Sequence, residues 1–260
     1  MTDGAPPLTV DGEGPVAIIT LNRPGQHNAA DSTLHRRLAE VWSEVGADRS
    51  IRAVVLTGAG ESFSAGGDFA LMKATSGDPD VADVVFAEAR ATVLGMIELP
   101  QPIVAAVNGP AVGLGASLAA LSDVTVAAET AFLADPHLAV GLVPGDGAAM
   151  LWPLLIGLSR AKHLVFLGER ITAAEALEIG LVNRVVPAGK AVEVALEVAQ
   201  QLARVPHRAL QDTKRLMNQH AVRALRDGLD QAISAERHSV VSPEHAERVD
   251  KMIARAGAKG

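Results

Sequence analysis

Residues 103–121 read Ile-Val-Ala-Ala-Val-Asn-Gly-Pro-Ala-Val-Gly-Leu-Gly-Ala-Ser-Leu-Ala-Ala-Leu. They sit in a run from Leu99 to Ser122 that carries no charge, long enough to raise the question of a membrane span. Asn108-Gly109-Pro110 interrupts that run, and Pro100 and Pro102 break its start. A buried strand at Ile103–Val107, a glycine-rich junction and a small-residue helix at Gly113–Leu121 explain it better. A buried strand feeding a helix is the unit of an α/β fold.

The same alternation extends in both directions. Leu8–Asn22 alternates around Gly12 and Gly14 and reads as a strand pair. Asp31–Val45 has helical period through Leu34, Leu38, Val41 and Val45. Ile51–Thr57 is a buried strand, Gly60–Asp68 a loop, Asp78–Leu99 a helix and Val124–Ala127 a third buried strand. From about residue 147 helices dominate. Thr172-Ala-Ala-Glu175 is a capping box, and Ser242-Pro243 opens a further helix. No low-complexity linker divides the chain. The expected organisation is an α/β core over residues 1–200 and a helical C-terminal region over 201–260.

Composition narrows the function. The 260 residues can bury a substantial core. A net charge of −7 gives no basic footprint, so nucleic acid is not expected as a partner. No cysteine is present, which excludes disulfides, thiol catalysis and cysteine-held metal; no tyrosine is present, which excludes a phenol. The start, Met-Thr-Asp-Gly-Ala-Pro-Pro, lacks a signal pattern. The expectation is a cytoplasmic protein without membrane contact.

Residues 136–147, Pro-His-Leu-Ala-Val-Gly-Leu-Val-Pro-Gly-Asp-Gly, set His137 and Asp146 nine positions apart. Pro144-Gly145 has the chemistry of a type II turn, which would fold Asp146 back toward His137. A carboxylate beside an imidazole makes a general-base pair. The alternative is that Asp146 only caps the helix starting near Gly147 and that His137 is an ordinary loop histidine. Two glycine-rich junctions add to the first reading: Phe63-Ser-Ala-Gly-Gly-Asp-Phe69 and Asn108-Gly-Pro-Ala-Val-Gly-Leu-Gly115. Each follows a buried strand, and one amide from each could form a two-donor oxyanion hole. Neither is a nucleotide-binding glycine pattern.

In this order the motifs resemble the crotonase (enoyl-CoA hydratase/isomerase) superfamily. The matching pieces are Leu21-Asn-Arg-Pro with Asn28-Ala29, the two glycine junctions, Val140-Gly-Leu-Val-Pro-Gly145, Ile171-Thr-Ala-Ala-Glu-Ala, and Gly180-Leu-Val-Asn183. The resemblance implies a spiral of ββα units with a helical C-terminal appendage, a homotrimer or dimer of trimers, and enolate stabilisation. It puts the oxyanion amides on Gly67 and Leu114. The two glutamates of the hydratases fall on Ser117 and His137, so ordinary hydration is not expected. Pro136-His137 through Gly147, Leu151-Trp-Pro153 and Gly168-Glu169 are similar to the 6-oxocamphor hydrolase (β-diketone hydrolase) branch. That likeness implies a His137–Asp146 pair and accessory roles for His35 and Glu236. It departs at Ala30, where that branch has a tryptophan, and at Gly113-Leu114-Gly115, which lacks its additional histidine.

Three functions follow for a small-molecule substrate, with no cofactor and no metal expected. The preferred one is hydrolytic C–C cleavage of a β-diketone. The second is an acyl-CoA hydrolase or an enoyl-CoA hydratase/isomerase, with a CoA thioester as substrate rather than bound cofactor; Gln26 and Ala70 stand where CoA-binding relatives are often basic, and Arg23 or Lys73 could substitute. The third is a catalytically silent ligand-binding homologue. His27 is read as a surface histidine, and His207, His220, His238 and His245 as solvated helix surface or trimer contacts.

Overall fold

The computed structural model describes residues 5–257; residues 1–4 and 258–260, and with them part of the N-terminal stretch read above, lie outside the described residues. The strands are β1 (Leu8–Glu13), β2 (Val16–Leu21), β3 (Ala53–Gly58), β4 (Ile103–Val107), β5 (Ala111–Val112), β6 (Val124–Ala128), β7 (Phe132–Ala134), β8 (Ile171–Thr172) and β9 (Arg184–Val186). The helices are α1 (Ser32–Ala47), α2 (Phe69–Gly77), α3 (Pro79–Glu98), α4 (Leu114–Leu121), α5 (Ala148–Ile156), α6 (Leu158–Leu167), α7 (Ala173–Ile179), α8 (Ala191–Arg204), α9 (His207–Val240) and α10 (Pro243–Gly257).

Six strands form one sheet in the order β1-β2-β3-β4-β6-β9. β1 and β2 are an antiparallel hairpin, with Leu8 opposite Leu21 and Glu13 opposite Val16. Every other neighbour in that sheet is parallel. β3 and β4 are buried along their whole length, as uninterrupted apolar strands must be in a covered parallel sheet. β5, β7 and β8 make a second, three-stranded sheet. α8 packs across β2, β3, β4 and β6, and the residue-200 boundary falls inside it.

α1 shows how sequence sets position. Asp31 accepts from the amides of Thr33 and Leu34, which starts the helix. Leu34, Leu38, Val41, Trp42 and Val45 then form one buried stripe, packed on α3. Each such side chain contributes about 1.5–3 kcal/mol on burial. Among the described residues no helix is long and apolar enough to cross a membrane.

Two local expectations are corrected. The loop expected at Gly60–Asp68 leads into a helix the sequence reading lacked, α2, capped by Asp68, which accepts from the Ala70 amide. Pro144-Gly145 is not a type II turn. Gly145 does not have positive φ, whereas Gly141 and Gly147 do (φ +73 and +135). The Gly145 amide bonds to the Val143 carbonyl at 2.9 Å, a three-residue turn about Pro144. The reversal is made by a 3-10 turn at His137–Val140 and by those two glycines.

Candidate active site

The loops after β2, β3 and β4 meet beyond the carboxyl ends of these parallel strands, where open α/β sheets place their sites. Asn28 joins the first two. It is fully buried, and its amide group donates to Ala59 O at 2.9 Å and Ser62 O at 2.8 Å while its oxygen accepts from Arg23 N. A bridge pairs Ala30 with Gly67, and another pairs Ser64 with Ala111. Arg23, ion-paired to Asp31 and Asp68, braces the same strands. A cavity of about 190 Å³ opens there, walled by α2, α3, α9 and α10 and apolar through Leu71, Met72, Phe86, Val240 and Met252.

His137 lies on the cavity wall at the start of the 3-10 turn. Its Nδ1 donates to Asp135 Oδ1 at 2.8 Å, and the same oxygen accepts the His137 backbone amide at 3.3 Å. Its Nε2 lies 3.8 Å from Asp146 Oδ2. The fold therefore brings His137 and Asp146 together, but the hydrogen-bonded carboxylate is Asp135, which the sequence reading did not single out. The available signal was the Asp-Pro-His spacing, which allows an Asx-type turn onto the amide two residues on. Asp146 is not the helix cap either: α5 begins at Ala148 behind Gly147. Ser117, from α4, donates its hydroxyl to Asp146 Oδ1 at 2.9 Å.

Glu236, from α9, is also buried and lines the cavity. One imidazole thus shares a buried site with three carboxyl groups, and their proton affinities shift accordingly. For His137, burial works against the charged ring, but Asp146, Asp135 and Glu236 push its pKa up to about 10. For Asp146, burial raises the pKa, Asp135 adds to this, and His137 and the Ser117 hydroxyl oppose it. Burial lifts Glu236 to about 8, with His137 opposing and both aspartates reinforcing. These shifts favour the doubly protonated ring and the uncharged Glu236 carboxyl near neutral pH. Donor atoms of Asp135, His137 and Asp146 lie within 4.8 Å of one another and are the grouping among the described residues that could hold a metal. The two ring nitrogens face different aspartates, which suits a hydrogen-bonded chain better than one shared ion.

The glycine loops converge beside the ring. Gly66 has φ +91, and a Cβ there would come within 2.8 Å of Val112 O; a Cβ on Gly113 would lie 3.6 Å from His137 Cε1. Gly67 and Leu114 both line the cavity, and among the described residues neither amide donates to a protein acceptor. Leu114 is the first residue of α4, whose opening amides have no partner within the helix.

The remaining positions divide. His35 lines the cavity with its Nδ1 3.0 Å from Glu88 Oε2. His27 is exposed, as expected. His245 corrects the surface reading: it is fully buried, and its Nδ1 bonds to Val140 O at 2.6 Å. Arg23 is engaged by Asp31 and Asp68, and Lys73 pairs with Asp250 of α10.

The sequence profile of the Enoyl-CoA hydratase/isomerase family matches residues 11–254. A short-chain-enoyl-CoA hydratase of Clostridium acetobutylicum is 34% identical over 231 residues, covering 88% of this chain and 86% of its own. An enoyl-CoA hydratase/isomerase from Mycobacterium paratuberculosis superposes with a TM-score of 0.93 at 45% identity, covering 96% of this chain and 99% of its own. A β-diketone hydrolase from the cyanobacterium Anabaena, solved bound to (S)-3-oxocyclohexyl acetic acid, is a more distant neighbour, with a TM-score of 0.84 at 29% identity and coverage of 91% and 94%. Fold, motifs and these likenesses agree: the chain belongs to the enoyl-CoA hydratase/isomerase (crotonase) family.

Proposed function

We propose that the protein is an enolate-stabilising hydrolase that cleaves a C–C bond of a β-diketone. One observation carries this reading: Ser117 and His137, standing where the hydratases have glutamates, meet through Asp146 at the cavity wall. The acid–base unit is then an imidazole with carboxyl partners, not a glutamate pair around one water. Water adds to one carbonyl carbon, and its proton passes to the His137–Asp146 pair. The bond from that carbon to the central carbon breaks, and its electron pair enters the enolate of the second carbonyl. The enolate oxygen is held by the Gly67 and Leu114 amides; one such donor is typically worth about 3–4 kcal/mol. The held proton returns to the central carbon, leaving a ketone and a carboxylic acid. No lysine or arginine is among the described cavity-lining residues, which favours an uncharged substrate there. The activity and bound ligand of the Anabaena neighbour support the same reading.

The hydratase and isomerase relatives favour a second reading, acyl-CoA chemistry such as thioester hydrolysis, hydration or isomerisation. The test is side-by-side turnover. Cyclic 1,3-diketones should lose their enol absorbance, and crotonyl-CoA should be hydrated slowly or not at all. Rapid crotonyl-CoA turnover without diketone cleavage overturns the hydrolase reading. The apolar face of α5 and α6, with Leu158 58% and Phe166 64% exposed, supports a trimer or dimer of trimers.

A further inference from the structure

We propose that Asp135 is the positioning residue of this site, fixing the His137 ring so that Nε2 and Asp146 Oδ2 together cradle the attacking water. The water's role rests on the hydrolase reading above; the ring's orientation does not.

Asp135 follows β7, which is paired on both sides, to Ala111 and Val112 of β5 and to Ile171 and Thr172 of β8. Its side chain is fully buried, so it is held by sheet and core together. Oδ1 accepts both the amide and the ring Nδ1 of the same histidine. A carboxylate only accepts, so Nδ1 must carry the hydrogen and Nε2 is the nitrogen that faces the reaction. The turn is held from behind as well: His245 bonds to Val140 O, and Arg248 donates to Ala139 O at 3.0 Å.

Asp146 is poorly placed for that orienting task. Its Oδ1 is taken by Ser117, and the 3.8 Å from Oδ2 to Nε2 exceeds a direct hydrogen bond. The same distance suits one bridging oxygen, since an atom about 2.8 Å from both groups subtends roughly 85°. With the ring protonated, Nε2–H donates to the water oxygen and Asp146 Oδ2 takes the water's proton as the oxygen adds to the carbonyl. That proton goes back to the enolate carbon after C–C cleavage, so Asp146 and His137 end as they began.

The test is nuclear magnetic resonance of ring-labelled histidine in wild type, Asp135→Asn and Asp146→Asn, without substrate. Wild type should show a low-field Nδ1 proton that persists in Asp146→Asn and is lost or moves upfield in Asp135→Asn. Loss in Asp146→Asn with retention in Asp135→Asn overturns the proposal. Should Asp135→Asn fail to fold, wild type in alkaline solution still decides: a neutral ring protonated on Nδ1 supports the assignment, and one protonated on Nε2 overturns it. In the activity arm, Asp135→Asn should lower kcat on the order of 10²–10⁴-fold with KM little changed. Failure of diketone turnover in wild type would reject the hydrolase reading while the resonance still reports on Asp135.

Discussion

Ser117 donates its hydroxyl to Asp146 at 2.9 Å and ties the buried helix α4 to the segment ahead of α5. Ser117→Ala leaves Asp146 Oδ1 buried without a donor, at a cost of about 1–3 kcal/mol. The remaining influences on Asp146, burial above all, then hold its proton more tightly. The variant should stay folded with a lowered melting temperature, and its kcat should fall about tenfold or more with the acidic limb of its pH profile moved upward. A melting curve and profile identical to wild type would show that the hydroxyl does not support Asp146.

His137→Ala and Asp146→Asn should each remove most activity, on the order of 10²–10⁴-fold. Residues that work on one proton are not additive, so the double variant should be about as slow as the slower single one. Independent, multiplying losses would mean that the two do not act as a unit.

Stability should fall as the medium becomes alkaline. The Glu236 carboxyl has an ordinary pKa of 4.5 and about 8 when folded, so between these values the unfolded chain releases a proton that the folded one keeps, and unfolding gains. His137 acts in the same direction. Its raised pKa contributes stability that is complete below 6.5 and lost as pH rises through about 10. Glu236→Gln removes the first effect. Near pH 5 it should melt close to wild type, and above about pH 8 it should melt several degrees higher, since ~1 kcal/mol moves the midpoint of a chain this size by about 2–4 °C. Equal melting at both pH values would mean that Glu236 ionises as freely in the fold as in water.

Legibility in the sequence tracked how local each feature is. Ile103–Val107 reads as a strand and is one, because five apolar residues closed by Asn-Gly-Pro leave little choice. Asp31 and Asp78 mark two helix starts because a cap acts on amides two or three residues away. β5 and β8 have two residues each, too few for any period to register. α2 has weak amphipathic character and buries only Thr75. The pairing of Ser117 with Asp146 spans 29 positions and that of His245 with Val140 spans 105; both exist only once α4 and α10 have packed. Asp135 was two residues from His137 and still escaped, because which side of a ring a carboxylate meets depends on the 3-10 turn's backbone path.

Gly66→Ala should damage the two glycine-rich loops before it damages the fold. The residue has φ +91, and its new Cβ would meet Val112 O at 2.8 Å, so the Gly66–Gly67 strand must move away from the start of α4. Forced backbone of this kind costs of order 1–3 kcal/mol. The Gly67 amide would leave the Leu114 amide, and kcat should drop by 10-fold or more while KM changes less. Full activity in a folded Gly66→Ala protein would remove Gly67 from the mechanism.

Association should depend on the outer face of α5 and α6. Leu154, Leu155, Leu158, Phe166 and Leu167 are 45–64% exposed there, an unusual concentration of large apolar side chains on open surface. Leu158 and Phe166 line an apolar groove together with Val143, Pro144 and Ala148, which flank Asp146 in the chain. A neighbouring subunit seated in that groove would therefore brace the active-site segment as well as bury the patch. Burial of one such side chain is worth about 1.5–3 kcal/mol, and a carboxylate placed there must instead be desolvated. Light scattering of wild type at micromolar concentration should give the mass of a trimer or hexamer. Phe166→Glu should shift the protein toward monomer and lower its activity at high dilution. A wild type that is monomeric, or a Phe166→Glu protein with unchanged mass, would put the subunit contact elsewhere or nowhere.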